Sequence, residues 1–334
     1  MGATDITIRQ ARPDDYEGVA KFTRETWADR ESGDYIPEIY HEWIAGDGDR
    51  QRTFLADAGD DVAGICQGVC LSDHEAWAQG MRVNPDYRGE GLSTQLNDAL
   101  FRWARERGAT VVRNMVFSWN AAGLGGSRAV GFAPLCEFRW AHPDPDPDAT
   151  LPEPYTITAD ADAAWSFWRR SDAQSALSGL ALDADESWAM AELTREGLHR
   201  AADETRVFAV SREDDTTAEG GVSTSEASGG SSEQGSDGAD REDDGTRAMA
   251  HRVRDYERET DGGIEQWAEY GVGAWTDLGA ARALFRAISA DAAAVGADRT
   301  RVLVPETPRH VSDAAAAHVA MGENPDFVLE AALV

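Results

Sequence analysis

Val83-Asn84-Pro85-Asp86-Tyr87-Arg88-Gly89-Glu90-Gly91-Leu92-Ser93 is the most informative run of residues in the chain. The apolar residues Met81 to Val83 lead into it, and Leu96, Ala99, Leu100 and Trp103 follow at helical spacing. The order is therefore strand, glycine-rich turn, helix N-terminus. Glycines let the main chain turn tightly and approach a ligand, and the first N–H groups of a helix have no partner within it. An anion, above all a phosphate group, is the natural occupant of such a turn. Two common phosphate-binding motifs are excluded. The dinucleotide fingerprint needs three spaced glycines and a downstream ribose-binding acid, the nucleotide-triphosphate loop needs Gly-Lys-Ser/Thr, and the chain carries neither here.

What remains resembles the acetyl-CoA loop of the GCN5-related N-acetyltransferase (GNAT) superfamily. That family's Arg/Gln-x-x-Gly-x-Gly/Ala pattern falls on Arg88, Gly91 and Ser93, with Ser93 departing at the last position. Taken alone, the hexapeptide also suits an ordinary strand-to-helix turn. Asn120 and then Gly131-Phe132 are spaced as in the family's Asn…Gly-Phe segment, and Ile6 to Asp15 resembles its opening strand and first helix, so the likeness spans nearly all of residues 5 to 140 in order. It implies a mixed α+β fold, a mostly antiparallel sheet flanked by helices, as in acyl-CoA N-acyltransferases. It also implies acetyl-CoA as co-substrate. The pantetheine arm would pair with main-chain groups of Met81 and Val83, the N–H groups of Arg88, Gly89, Glu90, Gly91, Leu92 and Ser93 would hold the pyrophosphate, and Asn120 would join this binding set.

In this superfamily the amine attacks the thioester directly, without a covalent intermediate. The resemblance implies Glu75 as general base, because it lies thirteen residues before the loop arginine, where histone-type members carry a glutamate. Strict alternation places Glu75, Trp77, Gln79, Met81 and Val83 on one strand face, with the Glu75 carboxylate partly desolvated beside Trp77. Glu265 occupies the same place in the second half of the chain, so a purely structural role for the glutamate stands beside the catalytic one. Many members carry a tyrosine seven residues after the asparagine as general acid. Here that position is Ser127, a poor proton donor, and the alternative base position five residues before the asparagine is Met115. The departures leave a second reading open, a non-catalytic acyl-CoA sensor or partner module of the same fold.

The two halves look like copies of one unit. Glu75-Ala76-Trp77-Ala78 recurs as Glu265-Gln266-Trp267-Ala268, and Ala99-Leu100-Phe101-Arg102 as Ala283-Leu284-Phe285-Arg286. The offset is 190 residues at the first match and 184 at the second, so the second copy has lost six residues over the glycine loop. This divides the chain into an acetyl-CoA-binding domain at 1–140, a Pro/Asp linker at 141–150, and a degenerate second domain at 151–334 with a disordered insertion at about 212–245. The expected assembly is an internal pseudo-dimer that needs no second chain.

Composition narrows the partners. A net charge of −30 and a single lysine, Lys21, against thirty arginines suit a surface adapted to high salt, where screening removes self-repulsion. Nucleic acid is disfavoured, since its backbone would be repelled. Cys66, Cys70 and Cys136 are too few for a disulfide framework and read as small apolar residues; the histidines form no ligand pair, so no metal is expected. With no secretory segment and no apolar run long enough for a bilayer, the expectation is a cytoplasmic protein without a membrane partner. For the acceptor, a small-molecule amine is favoured over a protein amine. Trp27, Tyr35, Tyr40, Trp43, Trp119 and Trp140 surround the place where the family binds it, although core roles suit them as well.

Overall fold

The computed structural model describes residues 6–24, 26, 33–213, 245–260 and 262–333. In chain order it contains β1 (Thr7–Gln10), α1 (Tyr16–Thr23), α2 (Ile36–Gly46), β2 (Gln51–Asp57), β3 (Val62–Cys70), β4 (Glu75–Val83), α3 (Leu92–Arg105), β5 (Val111–Phe117), α4 (Ala121–Ala129) and β6 (Ala133–His142). There follow β7 (Tyr155–Thr158), α5 (Ala161–Trp168), α6 (Asp172–Ala176), β8 (Leu180–Leu182), β9 (Met190–Glu192), α7 (Arg195–Glu204), β10 (Arg206–Arg212), β11 (Thr246–Thr260) and β12 (Gly263–Trp275). The chain ends with α8 (Leu278–Ala294), β13 (Arg299–Pro305), α9 (Pro308–Ala316), β14 (Ala320–Met321) and β15 (Asp326–Ala332). The expected insertion falls almost wholly on 214–244, outside the described residues. Among the described residues, no helix is long and apolar enough to cross a membrane.

Two compact units result. The first comprises Met1–Glu137, Asp185–Ala191 and Asn324–Val334, and the second Phe138–Ala184 and Glu192–Glu323. The first unit thus reaches beyond the sequence-based limit at 140. Its sheet joins β1, β2, β3 and β4 in antiparallel succession, then β5 parallel to β4. The far edge of β5 is paired by β15, from Asp326↔Phe117 to Ala332↔Val111. That ladder satisfies the main-chain groups of β5, which is why the last strand belongs with the first unit. In the second unit β7, β10, β11 and β12 are antiparallel, β13 is parallel to β12, and Phe138–Ala141 pairs with β13. Both units are α+β, with mostly antiparallel sheets flanked by helices.

The first unit buries apolar side chains on both faces of its sheet. Under α3, Leu96, Leu100, Phe101 and Trp103 meet Cys66, Ala76, Val112, Val116 and Leu329. Under α1 and α2, Val19, Phe22, Ile36, Tyr40 and Trp43 meet Leu55, Val62 and Ile65. The second unit has one large cluster, in which Leu284, Phe285 and Ile288 of α8 pack on Phe208, Ala250, Tyr270, Trp275 and Val302. All three cysteines are free, with Cys66 and Cys70 buried as expected of small apolar residues.

Candidate functional site

β4 is the element that shapes the site. Its ladder with β3 slips between Ile65 and Gln67, so that Gly80 and Met81 of β4 face only Cys66. This is a β-bulge, and Gly80 makes it with φ +61°. A Cβ at Gly80 would lie 2.2 Å from a ring carbon of Trp43, so the position demands glycine twice over. The bulge corrects the expected alternation. Glu75, Trp77 and Gln79 do not share a face with Met81 and Val83, because the extra residue turns Met81 and Val83 over to the α3 core. Arg82 stays on the other side, where its Nε donates to Asp34 Oδ2 at 2.6 Å.

The bulge coincides with a parting of strands. β4 and β5 are paired only from Glu75↔Val111 to Trp77↔Arg113. Beyond that rung the β5-facing edge of β4, from Ala78 to Val83, carries no β5 partner, which leaves a wedge lined by main-chain donors and acceptors. An extended amide-bearing chain can add to such an edge as a strand would. Met81 and Val83, expected to meet pantetheine, lie along this open length.

At the end of β4 the main chain turns through a 3₁₀ segment, Pro85–Tyr87, pinned by Asn84. Asn84 is buried; its Oδ1 accepts from the Asp86 N–H at 3.1 Å and its Nδ2 donates to Val62 O at 2.9 Å. Gly89 (φ +86°) and Gly91 (φ +74°) then reverse the chain, and Gly91 is the N-cap of α3 with no side-chain cap. A Cβ at either glycine would meet nothing within 4 Å, so the space over the turn is open. Among the described residues, the N–H groups of Gly89, Glu90, Gly91, Leu92 and Ser93 take no backbone acceptor. Buried Leu92 and Leu96 anchor this end of α3 in the core while the donors point outward. Converging N–H groups at a helix N-terminus with room above them fit a pyrophosphate. The Arg88 side chain is exposed, and the cradle is built from main chain.

The remaining candidates sit as follows. Asn120 caps α4, its Oδ1 accepting from Gly123 N at 2.9 Å. Ser127 accepts from Asn114 Nδ2 of β5 at 3.0 Å, which leaves its own proton to donate. Glu75 is buried; Arg113 Nη1 donates to its Oε1 at 2.5 Å and Ser72 Oγ to its Oε2 at 2.9 Å. The Glu75 surroundings are thus ionic and hydrogen-bonded rather than the apolar wall of Trp77. Arg113 also reaches Glu330 of β15, its Nε 2.7 Å from Oε2. Gln79 Nε2 donates both to Gln67 Oε1 at 2.7 Å and to Glu186 Oε1 at 2.9 Å. Arg113, Glu330 and Glu186 had no signal in the sequence, because only long-range pairing brings them to β4.

The aromatic residues divide. Tyr40 and Trp43 are core residues, Trp119 stacks on Phe117, Trp140 lies in the second unit against Arg301, and Trp27 lies outside the described residues. Tyr35 remains partly exposed beside Arg82.

The second unit repeats the order strand, helix, strand, and Trp267 stands opposite Arg299 as Trp77 stands opposite Arg113. It differs at both features of the site. The rungs between β12 and β13 run on to Tyr270↔Val302, and buried Glu269 pairs there with Arg301. The N-terminus of α8 is capped by Asp277, whose Oδ1 accepts from Ala280 N at 3.0 Å. Burial alone would raise the Asp277 carboxyl, but hydrogen bonds from Ala280 N–H, Thr276, Gly279 N–H and Tyr155 hold it below the ordinary range. A carboxylate of the chain itself thus occupies this helix end.

Residues 14–132 match the model of the Acetyltransferase (GNAT) family. No curated protein matches the chain in sequence. Among solved structures, a GCN5-related N-acetyltransferase from Sphaerobacter thermophilus aligns with 98% of this chain and 96% of its own, at 15% identity and TM-score 0.56. The ribosomal-protein-S18-alanine N-acetyltransferase from Escherichia coli covers 40% of this chain and 82% of its own at 20% identity and TM-score 0.34. PaiA N-acetyltransferase from Thermoplasma acidophilum, in complex with coenzyme A, covers 39% and 91% at 20% identity and TM-score 0.36. Strand wedge, bulge and glycine cradle all fall between residues 14 and 132, the segment that matches the GNAT family model, in a chain with the acyl-CoA N-acyltransferase fold.

Proposed function

We propose that the chain is an acetyl-CoA-dependent N-acetyltransferase whose first unit passes the acetyl group to a primary amine by direct attack in a ternary complex. The observation that carries this reading is the combination, on one strand and the helix after it, of an edge at Ala78–Val83 that β5 does not pair and, among the described residues, N–H groups at Gly89–Ser93 that take no backbone acceptor. The first suits the pantetheine amides and the second the pyrophosphate. Met81 and Val83 would supply the strand contacts, Gly89 to Ser93 the cradle, the expected Arg88 N–H being already donated to Pro85 O at 3.3 Å, and Asn120 the start of the helix that carries Ser127 toward the wedge. Ser127, holding a donatable proton, is the proposed route for protonating the leaving thiolate, directly or through water. A small-molecule amine is the proposed acceptor.

The second unit is proposed to bind no acetyl-CoA, since Asp277 fills its helix end and Glu269–Arg301 closes its wedge. Asp277→Ala should lower the stability of that unit by about 1 kcal/mol through the lost cap. In urea melts this appears as an earlier midpoint, while the number of acetyl-CoA sites per chain stays unchanged.

Serine in the tyrosine's place favours the second reading, an acyl-CoA sensor without turnover. Assay of CoA release from acetyl-CoA against a panel of primary amines, in multimolar KCl because of the acidic surface, separates the two. Release that depends on the amine supports the transferase, and binding with no release under any acceptor supports the sensor.

A further inference from the structure

We propose, resting on the reading of the first unit as a transferase, that Glu330 of the C-terminal strand is the general base and that Arg113 is its positioning residue. A base needs an oxygen that an incoming amine or its bridging water can reach. Glu75 does not offer one, because its side chain is 4% exposed and its two oxygens are taken by Arg113 and Ser72. The Glu330 side chain is 32% exposed and meets Arg113 through Oε2.

Strand register puts Glu330 across β5 from the closed end of the wedge. Arg113 faces Glu330 across one ladder and Trp77 across the other, and Trp77↔Arg113 is the last rung before β4 and β5 part. Leu329 and Ala331 point into the α3 core, so Glu330 between them projects to the opposite face, the one that carries Glu75, Trp77 and Gln79. The guanidinium of Arg113 bridges the two carboxylates. Glu75, fixed on its other side by Ser72, holds Arg113, and Arg113 holds Glu330 across β5 from the closed end of the wedge.

The ammonium form of the acceptor loses one proton, through water, to the Glu330 carboxylate. The neutral nitrogen attacks the thioester carbon, the C–N bond forms and the C–S bond breaks. The second nitrogen proton passes to the departing sulfur, giving amide and CoA thiol, and Glu330 returns its proton to solvent. The charged and titratable groups around Glu330 are Arg113 of β5, Glu75 of β4, and Cys136 and Glu137 of β6. Burial pushes the Cys136 thiol up to about 12, so it remains neutral through the assay range.

The test measures CoA release by the full chain between about pH 3 and pH 9, with ethanolamine, spermidine and water alone as acceptors, beside calorimetric acetyl-CoA affinity and the thermal midpoint. Glu330→Gln should slow release about 100-fold at neutral pH and erase the acid limb of the profile, with affinity and midpoint unchanged. Glu330→Asp should recover part of the rate, Arg113→Met should move the midpoint of the limb, and Glu75→Gln should retain the limb. A Glu330→Gln rate within about twofold of the parent, or a limb that survives in Glu330→Gln and vanishes in Glu75→Gln, overturns the assignment. Acetyl-CoA bound by the parent without release to any acceptor also overturns it, whereas absence of binding overturns the underlying transferase reading and this inference together.

Discussion

Gly91→Trp is expected to reduce acetyl-CoA affinity by at least about 100-fold while the chain remains folded. Two effects act in the same direction. At φ +74° any side chain strains the main chain by about 1–2 kcal/mol, which would disturb the donors that Gly91 organises at the start of α3. The indole would also stand in the space above Gly91, where even a Cβ meets nothing within 4 Å. Because that space is open, the substitution displaces no protein atoms, and the thermal midpoint should move little. Gly91→Ala separates the effects, since a methyl group strains the turn without filling the cradle. Calorimetry should then show a small loss for alanine and a near-complete loss for tryptophan. Equal affinities for both variants and the parent would mean that the turn holds no phosphate.

Gly80→Val should produce the largest loss of stability. The new Cβ would fall 2.2 Å from Trp43 Cη2 and 2.8 Å from Cζ3, and Trp43 is itself a core residue under α2. Overpacking of about 1–3 kcal/mol adds to about 1–2 kcal/mol for a left-handed backbone at a non-glycine residue, more for a branched one. The urea midpoint should fall accordingly. Relief by Trp43→Leu in the double variant should recover the packing part and leave the backbone part. Where the variant stays folded, its bulge can survive only by moving α2. Acetyl-CoA affinity should fall too, because the bulge turns Met81 and Val83 to the α3 side and sets the course of the open edge. A variant as stable as the parent would contradict the role given to this glycine.

These two glycines show what was and was not legible in the sequence. Gly91 announced itself, since a glycine-rich turn between an apolar strand and a helix-spaced run is a local pattern, and the helix begins at Leu92 as that spacing requires. β4 likewise ends at Val83, where the apolar lead into the turn stops, because strand and helix here are local periodicities bounded by turn residues. Gly80 was invisible, being one glycine inside an otherwise regular strand, where alternation continues on paper and stops in the structure. The ionic row Glu75–Arg113–Glu330 was equally hidden. It joins residues from β4, β5 and the last strand of the chain, and nothing local distinguishes Glu330 from the many other surface carboxylates of so acidic a protein. In the second unit Glu265 reaches Arg299, and in the first Glu75 reaches Arg113. Where the shortened spacing predicts no second glycine loop, the N-terminus of α8 is capped by Asp277.

The proposed function requires a single acetyl-CoA site per chain, in the first unit. Calorimetric titration of acetyl-CoA into the full chain in multimolar KCl measures this directly. The predicted result is saturable binding at one site per chain, lost in Gly91→Trp and unchanged in Asp277→Ala. Two sites, or one site that survives Gly91→Trp, would place the ligand elsewhere, and no binding by the folded protein would contradict the proposed function at its root.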